Sequence, residues 1–390
     1  YKRQILKNEN EFSSKFRFYF IVPKNFNLNS NVSIGFDKNF NENKESFNEK
    51  VNFIKVKGNG KLDLFFVLLK LIRKIKGDYL IIYPKLMFLP FMNNQVAFLY
   101  DLPMENIYKD SNLNIDKFKE KIKREFILRR KIIDKLDLIL TISNSSKNDI
   151  QEILGINNID YIYLGVDNEV FKVLDYKEIK EILNKYGLDY KGYFFYPAGK
   201  LWFRKNIINL IIAFYKFISV YKNKDLKLVI TANNYEDINN EYVLKVKKVV
   251  SDTGISERVR FLFVNSKDLV GLYNGAIACV FSSFYEGFGL PILESLACKV
   301  PILFSDILVF NEIFSENIFK FDPNSVDSIS SQFVNFMDFY IKKDRGELDR
   351  IIELGYKKVS NFKWIDSVSL LLEKIIKKIS FNKVASRNID

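Results

Sequence analysis

Histidine is absent from the 390 residues. Its absence removes the Ser-His-Asp triad, His-ligated zinc and every imidazole base, so chemistry must rest on carboxylates, Lys, Arg, hydroxyls or backbone dipoles. Cysteine is scarce: Cys279 and Cys298, each in an apolar setting, supply neither a disulfide framework nor a thiolate metal cluster. A reducing cytoplasm suits that usage. No apolar run approaches the roughly 20 residues that span a bilayer, and no signal peptide is visible in a sequence that begins at Tyr1.

What is present is apolar residues, 48% of the chain, enough for two domains of ordinary size. The net charge of +13 favours anionic partners: nucleotide phosphates, nucleic acid or an acidic membrane surface. Because the positive charge is dispersed, with no motif of interleaved aromatics, nucleic acid is not expected.

Short β-rich apolar runs alternate with longer amphipathic ones, as in parallel sheets with crossover helices. In the first half the strands expected are Phe16 to Val22, Val51 to Lys57, Tyr79 to Tyr83, Val96 to Tyr100 and Leu138 to Ile142, with helices over Lys61 to Lys76 and Ile115 to Lys135. A second series comprises Tyr193 to Pro197, Leu226 to Thr231, Val259 to Phe263, Ala278 to Phe281 and Ile302 to Phe304. The stretch from Gly165 to Lys177 is the least regular and reads as the linker. The expectation is an α/β chain of two doubly wound domains, 1–170 and 171–362, with a final helix over 363–390 crossing back towards the first. Ligands of such sheets bind beyond the carboxyl ends of the strands.

Two segments at strand ends carry candidate chemistry. Ser282-Ser283-Phe284-Tyr285-Glu286-Gly287-Phe288-Gly289-Leu290 follows a strand, and Pro291 opens a stretch with helical spacing. Gly287 and Gly289 allow close backbone approach, and the N–H groups of a helix start favour a diphosphate. Glu286 falls in the loop and Glu294 in the first turns of the helix. Two carboxylates beside a diphosphate require cations, and Ala198-Gly199-Lys200-Leu201-Trp202-Phe203-Arg204-Lys205-Asn206 supplies Lys200, Arg204 and Lys205 after the first strand of the second series. The bland readings are a solvated basic turn and ordinary acids at a helix start. The coincidence of Gly, Pro, both Glu and the basic turn favours the functional one.

Gly-Lys-Leu-x-x-x-Lys-Asn, followed about 80 residues later by Glu-Gly-Phe-Gly-Leu-Pro-x-x-Glu, resembles the retaining group 1 glycosyltransferases, family GT4, whose fold is GT-B. Further matches are Ser143 to Ile150, Gly165-Val166-Asp167 with Phe171, and Lys267 to Tyr273. The resemblance implies transfer of a hexose, mannose among the candidates, from a GDP- or UDP-sugar donor to a glycan or lipid-linked acceptor in surface polysaccharide assembly. No cofactor is implied. It implies catalytic roles for Glu286, Lys205 and Lys200. Donor contacts are implied for Glu294, Gly287, Phe288, Gly289, Leu290, Lys200, Lys205, Tyr100 and Asp101, with Glu294 on the ribose and Glu286 facing the sugar.

The pattern departs from the family in three places. Val22-Pro23-Lys24-Asn25-Phe26 has no glycine where a Gly-rich loop is usual, Tyr100-Asp101 stands for His-Asp, and Lys299 for Gly. Lys299 reads as a surface change, and the missing Gly loop and Tyr100 leave a degenerate binder of sugar or nucleotide as the alternative. With no Asp-x-Asp in the chain, the reaction is expected to be metal-independent. The helix expected over 117–135 is basic and amphipathic, with Lys117, Lys121, Arg124 and Lys131 beside Phe118, Ile122, Phe126 and Ile133. It reads as a helix packed on its own sheet or as a peripheral membrane contact at the inner face of the cytoplasmic membrane. Gly58-Asn59-Gly60-Lys61 reads as a turn, and Lys24 to Lys50 as a solvated excursion.

Overall fold

The computed structural model describes residues 18–23, 46–47, 51–56, 81–83, 94–102, 124, 126, 132–221, 225–342 and 345–387. The helix expected over 61–76, the turn 58–61, most of the excursion 24–50 and most of the basic helix 117–135 lie outside these residues, as do positions 24–26.

Strands β1 (Phe18–Pro23), β2 (Ser46–Phe47) and β3 (Val51–Val56) form a sheet of order β1-β3-β2, with β1 and β3 parallel. A second sheet has the order β4-β5-β6-β7, from β4 (Ile81–Tyr83), β5 (Gln95–Phe98), β6 (Leu138–Thr141) and β7 (Ile159–Tyr161). Helix α1 (Asn144–Leu154) follows β6 and α2 (Tyr176–Tyr186) follows β7.

The third sheet is all-parallel and six-stranded, of order β10-β9-β8-β11-β12-β13. Along the chain its elements are β8 (Tyr193–Gly199), α3 (Ile207–Tyr221), β9 (Lys227–Ala232), α4 (Glu241–Asp252), β10 (Val259–Leu262), α5 (Leu269–Gly275) and β11 (Ala278–Phe281). There follow α6 (Leu290–Ala297), β12 (Ile302–Ser305), α7 (Leu308–Phe314), β13 (Lys320–Phe321), α8 (Val326–Lys342), α9 (Arg345–Val359) and α10 (Trp364–Arg387). The chain divides into two compact units: Tyr1–Phe98 with Lys131–Ile139 and Trp364–Asp390, and Leu99–Arg130 with Leu140–Lys363. Among the described residues no helix is long and apolar enough to cross a membrane.

Strand β8 shows why the second unit folds as it does. Tyr193, Phe194, Phe195 and Tyr196 are all fully buried, the continuous apolar run of a parallel strand covered on both faces. Phe194 packs edge-on against Phe333 of α8 at 4.7 Å and Phe217 of α3 at 5.9 Å, while Phe195 meets Tyr273 of α5 at 5.3 Å. Each such ring contributes roughly 1.5–3 kcal/mol through burial.

The segment between β7 and α2 has neither helix nor strand, the last two residues of the stretch from Gly165 to Lys177 belong to α2, and the segment is fastened. Val166 N–H donates to the Phe362 carbonyl at 3.0 Å. Asn274, buried at the end of α5, accepts from Leu174 N–H at 3.1 Å and donates to the Lys172 and Val270 carbonyls at 2.9 Å each. Asn274→Ala is therefore expected to cost about 2–3 kcal/mol, read as a lower urea midpoint at unchanged slope; an unshifted midpoint would show that the tether carries no stability.

Candidate active site

In the six-stranded sheet β9 and β10 lie on one side of β8, and β11, β12 and β13 on the other. The order thus reverses between β8 and β11, the position where open α/β sheets bind ligands beyond their carboxyl ends. Both candidate segments leave the sheet there.

After β8 the chain turns at Gly199, whose φ of +69° is left-handed. Leu201 plugs the core, and its N–H is held by Asn234 Oδ1 at 2.8 Å. A 3-10 turn, Phe203–Lys205, ends on Asn206, again left-handed, whose Nδ2 donates to the Pro323 carbonyl at 2.7 Å. The turn aims Arg204 and Lys205 at the loop after β11. Lys205 Nζ lies 2.6 Å from Glu286 Oε1, and Arg204 pairs with Glu286 Oε2. Ser283 Oγ donates to Glu286 Oε1 at 2.8 Å and is itself 2.8 Å from the hydroxyl of Tyr196.

The Glu286 side chain is 11% exposed, and Lys205 and Arg204 are 13% and 17%. Burial on its own would raise the Glu286 carboxyl, but the charges of Lys205 and Arg204, with the hydrogen bonds of Lys205 and Ser283, hold it below the ordinary carboxylate value. A pair at 4 Å is worth about 4 kcal/mol at an effective dielectric of 20, so two cations outweigh a desolvation cost of several kcal/mol. Lys200 is not part of this cluster. It is exposed, with Nζ 5.7 Å from the Trp202 ring centroid, and Arg204 flanks the same ring at 5.6 Å. Of the three cations that the basic turn offers, Lys205 and Arg204 meet Glu286.

The loop from Tyr285 to Gly289 is held on several sides. The Gly287 carbonyl accepts from Ser143 Oγ at 2.7 Å and Ser146 Oγ at 3.0 Å, both at the start of α1. A Cβ on Gly287 would stand 3.1 Å from Asp101 and 3.3 Å from Ile142, so the close approach that this glycine permits is to those residues. Phe288 turns inward and is buried: its ring stacks on Tyr163 at 5.9 Å and meets Phe362 edge-on at 5.9 Å. Gly289 has φ +115°, and a side chain there would press on Phe310 and Ile313. It is the N-cap of α6, no side chain caps the helix, Pro291 sits in the first turn, and Leu290 packs partly buried on the core. That start is open to an anion.

Glu294 lies one turn into α6. It has no ion pair among the described residues, and the Tyr273 hydroxyl donates to its Oε2 at 2.6 Å. Burial pushes its carboxyl up to about 7, against the opposing Tyr273 hydrogen bond. The other two expected donor residues part company. Asp101 abuts Gly287 and its charge acts on Arg204, whereas Tyr100 is 42% exposed and its carbonyl accepts from Thr141 Oγ1 at 2.8 Å. Sequence reasoning missed Tyr196, Ser283 and Tyr273. Ser283 stood inside the quoted motif and Tyr273 at the end of the matched segment Lys267 to Tyr273, but nothing in the pattern gave them or Tyr196 a role of their own. Among the described residues no group of three or more Cys, Asp or Glu is placed to hold a metal ion.

Residues 178–355 match the family described as Glycosyl transferases group 1. The O-antigen chain mannosyltransferase B of Escherichia coli is 32% identical over 207 residues, 52% of this chain and 52% of that one. The match therefore spans about half the length of that relative. Among solved structures, sucrose-phosphate synthase from Thermosynechococcus elongatus aligns with a TM-score of 0.67 at 15% identity, over 98% of this chain and 93% of that one. Anabaena Alr3699/HepE in complex with UDP-glucose aligns with a TM-score of 0.57 at 17% identity, over 73% and 72%. These likenesses show the fold, which is GT-B.

The two carboxylates predict opposite pH dependences. Glu294, raised above its unfolded value of 4.5, contributes stability that is full below that value and lost as pH rises through about 7. Relative to Glu294→Gln, the wild type is expected to lose about 2 kcal/mol in urea unfolding between pH 5 and 8, allowing for partial exposure. Glu286, depressed below 4.5, contributes stability above that value that is lost as pH falls, so Glu286→Gln is expected to cost most at pH 8. Parallel pH profiles for the two variants would refute this contrast.

Proposed function

From a chain whose residues 178–355 match the family described as Glycosyl transferases group 1, we propose a retaining glycosyltransferase. It moves a hexose, mannose first among the candidates, from a GDP- or UDP-sugar to a glycan or lipid-linked acceptor. The setting is assembly of a surface polysaccharide, with the enzyme in the cytoplasm at the inner face of the membrane. The observation that carries this reading is the meeting of Arg204, Lys205 and Glu286 at the switch point, beside the uncapped start of α6. The O-antigen mannosyltransferase relative supports the sugar, and the UDP-glucose complex supports the class of donor.

In this reading the donor diphosphate lies over the start of α6, where helix N–H groups, Lys205 and Arg204 meet charge as it develops on the leaving group. Lys200, exposed on the same turn, closes over the phosphates. Glu294 accepts from the ribose hydroxyls and Glu286 faces the sugar. The bond from the anomeric carbon to the diphosphate oxygen breaks, and the acceptor oxygen bonds to that carbon on the same face. The acceptor proton passes to the departing phosphate, since no imidazole exists to take it.

A panel of UDP-, GDP-, ADP- and dTDP-sugars screened by thermal shift identifies the donor, because a ligand of the native state raises the transition by mass action. With that donor, Lys205→Ala is expected to lower kcat roughly 10²–10³-fold, as for loss of one transition-state donor, with the circular dichroism unchanged. A near-normal rate would remove Lys205 from the chemistry. Binding of a nucleotide sugar with no turnover would identify a degenerate binder instead.

A further inference from the structure

We infer that Tyr273 is a positioning residue for the nucleotide: its phenol holds the Glu294 carboxyl in one orientation, so that Oε1 is presented to the ribose hydroxyls of the donor. The inference rests on the donor-site reading above and adds to it a residue from a different helix.

Three observations carry it. The phenol donates to Oε2 at 2.6 Å, which occupies one carboxyl oxygen and leaves the other. The ring itself cannot swing, because Phe171 meets it edge-on at 5.8 Å and Phe195 at 5.3 Å from another side, and it is fully buried. Finally, Glu294 has no cation partner among the described residues, so the phenol is the group that favours its ionised form. The other titratable groups acting around it are Cys279 of β11 and Cys298 at the end of α6, both kept neutral by burial, with Lys191 acting in turn on Cys279. A diol is read by a carboxylate that accepts from both hydroxyls. Tyr273 therefore serves in two ways: it aims the acceptor and it extends the pH range over which the acceptor is charged.

Titration calorimetry of UDP, GDP and ADP at a series of pH values, on wild type, Tyr273→Phe and Glu294→Gln, tests this. Wild-type binding is expected to strengthen as pH rises through about 7. Tyr273→Phe is expected to bind roughly 10-fold more weakly at neutral pH, with the rise displaced to higher pH. Glu294→Gln is expected to bind weakly without that rise. With the 2′-deoxynucleotide the gap between wild type and Tyr273→Phe is expected to shrink. Where Tyr273→Phe does not fold, 3-fluorotyrosine placed at position 273, a stronger donor of nearly equal volume, is expected to move the rise to lower pH. An unchanged dissociation constant and pH midpoint in Tyr273→Phe, or an unmoved midpoint with fluorotyrosine, would overturn the role of Tyr273 while leaving the nucleotide site intact. Failure of the wild type to bind any nucleotide would instead remove the donor-site reading itself.

Discussion

The carboxylate of Glu286 sits between Arg204 and Lys205, and much of the geometry at the switch point follows from that contact. A carboxylate this enclosed cannot remain ionised without charge compensation. The compensating cations come from a different loop, so the turn after β8 and the loop after β11 are set by one interaction. Backbone contacts repeat the same coupling: Phe284 N–H donates to the Arg204 carbonyl at 2.8 Å, and Ser282 Oγ to the Lys205 carbonyl at 3.0 Å. The left-handed Asn206 then sends the chain directly into α3. Moving one loop would strip several of these bonds together.

The balance of charge in this cluster has a direction. Two cations face one carboxylate, with Asp101 acting on Arg204 from a little farther away, and Lys200 stands exposed on the same turn. A site arranged in this way holds its acid ionised and still has cationic capacity for an anion. Glu294 is the opposite case. With a phenol as partner and no cation among the described residues, it is raised to about 7 by burial. Eight residues separate the two carboxyls, and their environments drive them apart, the usual sign that two acids have different tasks. The one suits a fixed charge beside a diphosphate and sugar, the other a hydrogen-bond acceptor whose charge responds to its surroundings.

The sequence made some of this legible because strand, loop and helix are local features. Tyr193 to Pro197 and Ala278 to Phe281 are continuous apolar runs, and they are β8 and β11. The Gly, Pro and Glu of the acidic segment mark the start of α6 by local chemistry alone. Strands β2, β7 and β13 escaped because two or three residues are too few to show a period. What the pattern could not rank was direction: in a run of basic residues bounded by left-handed breaks at Gly199 and Asn206, Arg204 meets Glu286 and Lys200 stands exposed. The family resemblance implies a donor contact for Phe288 without saying which of its atoms makes it, and Tyr163 and Phe362, both distant in sequence, draw its ring into the core. Gly287 was equally ambiguous, since a missing Cβ shows that something approaches without showing what.

The position of the Tyr273 phenol depends on packing that no motif records. Helix α5 is seven residues long, and at its third residue, Gly271, a Cβ would stand 2.5 to 2.8 Å from the Ile182 side chain of α2. This glycine therefore lets α5 sit against α2 more closely than any other residue type would allow. Two residues later the Tyr273 ring is wedged between Phe195 of β8 and Phe171 of the irregular segment before α2. That segment is in turn held by Asn274, the next residue in the helix. A glycine, an asparagine and two phenylalanines thus fix where one hydroxyl lies, and the hydroxyl fixes one oxygen of Glu294. A hydrogen bond alone would leave a long carboxylate side chain free to choose among rotamers. A buried, wedged phenol removes that choice before any ligand arrives, which reduces the ordering that binding would otherwise have to impose.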